Sequence, residues 1–555
     1  MREKEYDKLR GGYYTPKIIA DFLCQWAIQS EDNTILEPSC GDGIILESAA
    51  KTLLNLGAKK EEISNLLFGI EIDNNEAGKA VNRLKRFGIP HSEDIVTSGD
   101  FFQVSAKICG ENPLQARVPE RLFDIVVGNP PFIRYQNFPR KNRRIAFELM
   151  KNFGFKPNGL TNAWVPFLVI SSMVLRSEGK LAMVIPAELF QVKYAAETRK
   201  FLSNFFRRIS IITFRKLQFK EIQQEVVLLL AEKNTGSRKG IRVIEVCSAD
   251  DLRGYNHEKM TLSEVKPLDH TQDKWTQYFL EKDEILLLRR LKKDKRIPLI
   301  KDVMEVDVGV VTGRNAFFVL TKKEAEKWEV EEYSKRVVGR SNYIKGIVFT
   351  EDDWFNMYGR DLPSLLFCPP DRTFDSLPKS VRDYINNGRK NGIHKGYKCR
   401  IRRRWYIIPS IWIPDAFVLR QIHDYPKIIL NKAETTCTDT IHRAKFIEKG
   451  RERVAVSFLN SLTFAFSEVV GRSYGGGVLT FEPTEVEALP LPLERSNNLD
   501  IHSLDKLVRK NDIESVLDIT DQILLIDGLE LSSLEVETLR RIWKKLRDRR
   551  IQREH

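Results

Sequence analysis

The sequence has little with which to cross-link itself or hold a metal. Seven cysteines (Cys24, Cys40, Cys109, Cys247, Cys368, Cys399, Cys437) are scattered over 555 residues, and none forms a Cys-x-x-Cys pair. That pattern speaks against a zinc ribbon and a disulfide framework, and the odd count suits a reducing compartment. Long apolar runs are also missing. The longest, Val165 to Leu175, has 11 residues and includes two serines, whereas a membrane-spanning helix needs about 20. No apolar run follows Met1-Arg-Glu-Lys-Glu-Tyr6, so neither a secretory leader nor a membrane is expected. No repeat recurs at a fixed period.

Material for packed cores is ample. Hydrophobic residues make up 42% and charged residues 30% of the chain, a globular rather than a disordered composition. Lysine and arginine number 89 against 76 acidic residues, a formal charge of +13. Such a balance is common in chains that meet a polyanion. Strands are expected over 34–37, 66–71, 123–127, 180–185, 209–213 and 225–230, and helices over 43–56, 74–87, 163–176 and 193–206. This alternation predicts a mostly parallel sheet covered on both faces, with ligands beyond the carboxyl ends of its strands. The polar stretch Asn234-Thr-Gly-Ser-Arg-Lys-Gly240 reads as a linker. From there to 497 the chain has short strands, aromatics and basic clusters without that rhythm. The last segment is helical, with eight basic residues against two acidic ones from Arg540 on.

Four motifs carry chemistry. At Glu37-Pro-Ser-Cys-Gly-Asp-Gly43 a strand turns into a helix, and Gly41 and Gly43 permit a tight turn and close approach of a ligand. The turn is neither a complete Gly-x-Gly-x-x-Gly nor a phosphate loop. The next strand ends in Gly69-Ile-Glu-Ile-Asp73, where Glu71, or Asp73 in its place, can take both hydroxyls of a ribose. In Ser98-Gly-Asp-Phe-Phe102 the Asp100 carboxylate can accept from an adenine amino group while Phe101 packs on the ring. Each of these alone is commonly a plain turn or a solvated cap. Together, in order and evenly spaced, they describe a nucleoside pocket. Phe123-Asp-Ile-Val-Val-Gly-Asn-Pro-Pro-Phe132 then delivers Asn129 to the same sheet edge. Its prolines fix φ and remove backbone donors. The Asn129 amide oxygen and the Pro130 carbonyl become acceptors for a planar amino group, with Phe132 as a stacking face.

These motifs resemble the amino-type DNA methyltransferases that use S-adenosyl-L-methionine, of the gamma order, as found in type II restriction-modification systems. The resemblance implies a Rossmann-like class I methyltransferase domain with a mostly parallel seven-stranded sheet (1–238). A mixed α/β target-recognition domain (239–497) and a basic helical segment (498–555) follow it. It implies a cofactor site of Thr15 (in Gly12-Tyr-Tyr-Thr-Pro16), Glu37, Pro38, Ser39, Cys40, Gly41, Gly43, Glu71, Ile72, Asp100, Phe101 and Asn129. Asn129, Pro130, Pro131 and Phe132 match the catalytic motif, and Phe219 a second aromatic that, with Phe132, sandwiches a flipped base. Adenine N6 is the expected target. Cytosine N4 is the alternative, and an RNA or a protein glutamine the more distant ones. Cys40 lies in the cofactor loop and no Pro-Cys dipeptide occurs, which speaks against a cysteine nucleophile and carbon-5 chemistry.

Duplex DNA is the expected partner, with a restriction endonuclease acting separately. Motif-like sequence from Gly12 on carries the expectation that no nuclease domain precedes it. The chain is expected to act as a monomer in a bacterial or archaeal cytoplasm, at the nucleoid through DNA. DNA contacts are expected from the basic cluster between Lys395 and Trp405: Lys398, Arg400, Arg402, Arg403 and Arg404, interleaved with Tyr397 and Trp405. Gly475-Gly-Gly477 and the tail from Arg540 are further candidates, and a lone His442 is more often structural. The stretch Val308-Gly-Val-Val-Thr-Gly-Arg-Asn-Ala-Phe-Phe318 also resembles modification enzymes.

Overall fold

The computed structural model describes residues 14–108, 122–216, 225–234, 239–255, 260, 263–268, 274–447, 450–474 and 477–552. They form two compact units, Met1–Phe279 with Gln552–His555, and Leu280–Ile551.

The first unit is built on one eight-stranded sheet. Its strands are β1 (Ile35–Glu37), β2 (Leu67–Glu71), β3 (Val96–Ser98), β4 (Phe123–Gly128), β5 (Leu175–Pro186), β6 (Arg208–Phe214), β7 (Val226–Glu232) and β8 (Gly240–Val246), in the order β3-β2-β1-β4-β5-β7-β6-β8. β7 is antiparallel to both neighbours, and every other pairing is parallel. The helices include α1 (Lys17–Ala27), α2 (Ile44–Leu56), α3 (Asn74–Phe87), α4 (Phe101–Ile108), α5 (Arg140–Asn152), α6 (Trp164–Met173) and α7 (Ala196–Phe205). The middle strands are rich in Val, Ile and Leu and almost wholly buried on both faces, as expected of a sheet covered on both sides. Helix α6 explains the long apolar run. Trp164 through Ser172 are all buried, and Ser172 Oγ donates to Leu168 O at 2.8 Å. Among the described residues no single helix is long and apolar enough to cross a membrane.

The expected elements lie within three residues of the observed ones, except that β5 starts at Leu175. Two strands are additions. β3 is a three-residue edge strand, too short for a pattern to register. β8 pairs along its whole length with β6, from Arg208↔Gly240 to Phe214↔Val246. The sheet therefore has eight strands rather than seven, and the first compact unit runs to Phe279, past the boundary read at 238/239. Interrupted by Arg242 and Glu245, β8 lacks the continuous apolar run that marks the middle strands.

The second unit holds three small sheets. The five-stranded one comprises Val348–Phe349, Ile428–Asn431, Ala416–Leu419, Ile441–Phe446 and Met304–Val308. The others have four and three strands. Its last helix, Ser533–Ile551, packs on Ser461–Val470, with the rings of Phe464 and Trp543 5.1 Å apart.

Candidate active site

Strand order reverses between β1 and β4, and in an open α/β sheet such a reversal opens a crevice at the strand ends. The turn after β1 enters that crevice. Gly41 and Gly43 have φ of +50° and +81°. At Gly43 a Cβ would lie 2.8 Å from Ala80 Cα on α3, so both space and backbone demand glycine. At Gly41 a Cβ would meet nothing within 4 Å, so the space beside that backbone is open. Cys40 is 3% exposed, and its N–H donates to Ile70 O at 2.9 Å. Burial, with Glu37 and Glu71 nearby, pushes its thiol well up. Cys40 is therefore a packing residue and no nucleophile.

A cavity of about 300 Å³ lies over this turn, within the size range of small-molecule sites. Pro38, Ser39, Gly41, Glu71 and Ile72 line it, as do Asp100, Phe101 and Asn129. Thr15, Glu37, Cys40 and Gly43, also expected there, are not part of its lining. Glu71 ends β2, buried, with Oε2 accepting from Gly41 N and Oε1 from Asp73 N, both at 2.9 Å. The Asp73 carboxylate instead caps α3, accepting from Asn75 N at 2.9 Å and Glu76 N at 3.2 Å, a usual Asp role. The structure thus separates the two acids left open by the sequence.

Asp100 Oδ2 accepts from Asn142 Nδ2 at 2.6 Å, and Oδ1 accepts from Gln103 N at 3.0 Å. Burial raises its pKa, opposed by these bonds. Phe101 stacks on Phe167 of α6, ring centroids 5.0 Å apart. Asn142 and Phe167 both line the cavity, and the sequence reading missed both. Asn142 lies on a basic helix and Phe167 in a run that is apolar on every face, so no local pattern singles them out. Tyr14 also lines it, its hydroxyl donating to the Glu76 carboxylate at 3.1–3.2 Å.

Strand β4 delivers Asn129. Its Nδ2 donates to Thr15 Oγ1 at 3.2 Å, and Ser39 Oγ donates to its main-chain oxygen at 3.4 Å. Thr15 therefore touches the Asn-Pro-Pro-Phe motif rather than the cavity. Pro131 lines the cavity; Pro130 is buried, and Phe132 is half-buried against the core. The following loop is held on its main chain. Asn162 Oδ1 accepts from Tyr135 N at 3.1 Å, Ala163 N donates to Ile133 O at 2.9 Å, and Arg143 Nη1 donates to Tyr135 O at 3.0 Å. Phe219 lies outside the described residues.

In the second unit the basic cluster divides. Arg402 donates to Val311 O at 2.7 Å and lies over the Phe318 ring, while Arg404 pairs with Asp371. Lys398, Arg400 and Arg403 are exposed. The tail is engaged internally. Arg540 pairs with Asp518 at 2.7 Å, Lys544 with Glu514 at 2.8 Å, and Arg550 with Glu468 at 2.6 Å. A Cβ on Gly477 would lie 3.1 Å from Ile551 Cα, so this glycine serves helix packing; Gly475 and Gly476 lie outside the described residues. His442 is fully buried, with Nε2 2.8 Å from Phe481 O, and burial lowers its pKa.

The strand order with its single antiparallel strand, the glycine turn after β1 and the acid ending β2 define a class I methyltransferase, whose cofactor is S-adenosyl-L-methionine. Residues 49–219 match the model of the Eco57I restriction-modification methylase, and residues 272–525 match the C-terminal domain of the Type II methyltransferase M.Eco57I. The chain belongs to the type II restriction-modification DNA methyltransferases. It is 21% identical over 523 residues to Type II methyltransferase M.AccI of Acinetobacter calcoaceticus, covering 90% of this chain and 87% of that one. It is 24% identical over 359 residues to M.HindII of Haemophilus influenzae, covering 61% and 60% of the two chains. Among solved structures, the type IIL restriction-modification enzyme MmeI in complex with DNA superposes with a TM-score of 0.56 at 14% identity, covering 93% of this chain and 73% of that one. That likeness concerns the fold.

The residues fit the cofactor. Glu71 offers oxygens oriented by two backbone amides, and Ile72 an exposed apolar face beside them. Glu37 Oε2 is buried without a hydrogen-bond partner among the described residues. Burial, then Asp42 and Glu71, raises the Glu37 carboxyl well above the usual range, which favours its neutral form behind the cavity wall. When bound, the cofactor supplies an electrophilic methyl group on its sulfonium.

Proposed function

We propose that this chain methylates the N6 amino group of adenine within a short duplex DNA sequence, and that it protects that sequence from a restriction endonuclease carried on another chain. We assign catalysis to the first unit and target recognition to the second, acting together as a monomer. The observation that carries the reading is Asn129: a carboxamide at the end of β4, on the cavity wall, with its nitrogen engaged by Thr15. That bond fixes the orientation of the carboxamide, and we assign its oxygen to the substrate amino group, next to a Pro-Pro pair that has no N–H to compete. Two acceptors on one amino group bind its hydrogens and localise the nitrogen lone pair for direct displacement at the methyl carbon. Alignment and fixed dipoles then supply most of the rate. The target atom is reached by flipping the base, at a cost of a few kcal/mol. Phe132 and Phe219 are the residues we assign to stacking on the base. Glu71 is assigned to the ribose, and Asp100 with Phe101 to the adenine of the cofactor.

The test is incubation with labelled S-adenosyl-L-methionine and unmodified genomic DNA, then nucleoside analysis and mapping of modified positions. N6-methyladenine at one short motif is the expected result. N4-methylcytosine would overturn the choice of base, and label only in added RNA or protein would overturn the substrate.

A further inference from the structure

The motif around Gly313 and the basic cluster, far apart in sequence, form one object in the second unit. The cluster contains a single helical turn, Tyr397–Arg400, extended to Ile401 by a bond from Ile401 N to Tyr397 O at 3.2 Å. This i,i+4 relation puts the side chains of Tyr397 and Ile401 on one face. That face points to solvent: Tyr397 is 66% and Ile401 60% exposed. The opposite face is seated. Cys399 is fully buried, and Gly313, at φ +86°, lies so close beneath that a Cβ would come within 2.9 Å of Lys398 Cβ. Arg402 ties the end of the turn to Val311 O, and the Trp405 ring packs 5.3 Å from that of Phe317. Glycine at 313 thus has a structural purpose, and the turn is rigidly mounted.

Within six residues of these two side chains along the chain are Lys395, Lys398, Arg400 and Arg403, all exposed, and Arg314 adjoins the turn, its Nε 3.8 Å from the Cβ position of Gly396. Among the described residues none of these five pairs with a carboxylate, and no acidic residue occurs between Gly392 and Ile408. The basic tail is the contrast, because there Arg540, Lys544 and Arg550 all have acidic partners. An aromatic and a branched aliphatic side chain held out into solvent on a segment of exposed, unneutralised cations have poor reason to stay there in water. The arrangement is complementary to a polyanion that also presents flat apolar faces, which describes stacked base pairs between two phosphate chains. A protein partner would call for carboxylates or a larger apolar patch than two residues.

We propose that Tyr397 and Ile401 form a wedge that inserts between adjacent base pairs of the bound duplex, unstacking one step and bending the DNA, while the surrounding lysines and arginines hold the phosphates on either side. Apolar wedges of this kind exchange unstacking energy for a more extensive contact. This rests on duplex DNA being the substrate, as proposed above.

The experiment uses the full chain and a duplex oligonucleotide containing the mapped methylation site, labelled at both ends for energy transfer. Both residues are exposed, so the double variant Tyr397→Ala/Ile401→Ala is expected to fold with unchanged thermal stability. Wild type should shorten the end-to-end distance on binding. The double variant should leave the duplex straight and bind about 10- to 100-fold more weakly, with an unchanged slope of log affinity against log salt, because no charge is removed. Tyr397→Phe with Ile401→Leu should restore both bend and affinity. A double variant that bends and binds like wild type overturns the wedge while leaving the methyltransferase reading intact, as does a wild type that methylates a duplex it does not bend. A wild type that neither binds nor methylates duplex DNA overturns both.

Discussion

At the scale of single residues, the proposed chemistry is divided between Asn129 and Glu71. Asn129→Ala removes the oriented acceptor and leaves the rest of the cavity wall in place. Transfer should fall by about 10²- to 10³-fold or more while cofactor affinity, measured by calorimetry, changes little. Normal turnover in this variant would sink the assignment. Glu71→Ala should do the reverse, weakening cofactor binding by about tenfold or more, a loss of about 1.4 kcal/mol, because Gly41 N and Asp73 N lose their common acceptor as well. Glu37 makes a pH prediction. Its folded carboxyl titrates above the unfolded value of about 4.3, so protonation favours the folded state. That contribution is complete below the unfolded value and is lost as pH rises through the folded pKa. Glu37→Gln cannot ionise and should flatten the decline in apo stability from acid toward neutral and alkaline pH, by about 1.4 kcal/mol per unit of pKa elevation. Thermal melts of the apo protein at several pH values check this. A variant whose melting follows the parental pH slope refutes the role.

At the scale of elements, the C-terminal helix Ser533–Ile551 shows how one charge pattern can mean two things. Arg550 and Glu468 are each 3% exposed. Burial raises the pKa of Glu468 even with the arginine beside it, so desolvation outweighs the attraction and the pair is a poor source of net stability. Breaking it is another matter. Arg550→Ala leaves a buried carboxylate alone and should cost about 3–5 kcal/mol in urea unfolding. Lys544→Ala, which breaks the half-exposed pair with Glu514, should cost under about 1 kcal/mol. Equal losses in the two variants would contradict this account. The basic run from Arg540 was legible in the sequence as charge, but its partners Glu281, Glu284, Glu468 and Asp518 are remote in sequence, so no local pattern could show that the charge is neutralised. Element positions were far more legible. Helix α3 is legible at its observed bounds because Asp73 and Gly88 mark its ends, the one accepting from Asn75 N and Glu76 N, the other at φ +85°.

At the scale of the whole molecule, the net charge of +13 reaches DNA only where cations remain unpaired. Replacing Lys398, Arg400 and Arg403 by glutamine should lower the salt slope of DNA binding, by up to about 0.9 for each phosphate no longer neutralised. Neutralising Arg541 and Lys544 should leave it unchanged. A slope that responds to the second pair and ignores the first would put the DNA elsewhere. The order of short apolar runs, the glycine turn after the first strand, the acid ending the second and the Asn-Pro-Pro-Phe after the fourth were all readable from sequence. They depend on local periodicity and on backbone demands that few residue types meet. What lay beyond the sequence was every choice between chemically similar candidates. Glu71 rather than Asp73 faces the cavity because Asp73 is taken by the amide nitrogens of α3. Thr15 holds Asn129, and Asn142 reaches Asp100, across 114 and 42 residues of chain. Arg402 and Arg404 are held within the fold while Arg400 and Arg403 are exposed, since Val311 O and Asp371, remote in sequence, engage the first two. Strand β8 belongs to the first sheet because β6 leaves an edge open to it. Local sequence specifies which elements form and which residue types a site contains. Burial and competition for hydrogen bonds, which arise only when distant segments meet, select which of them act.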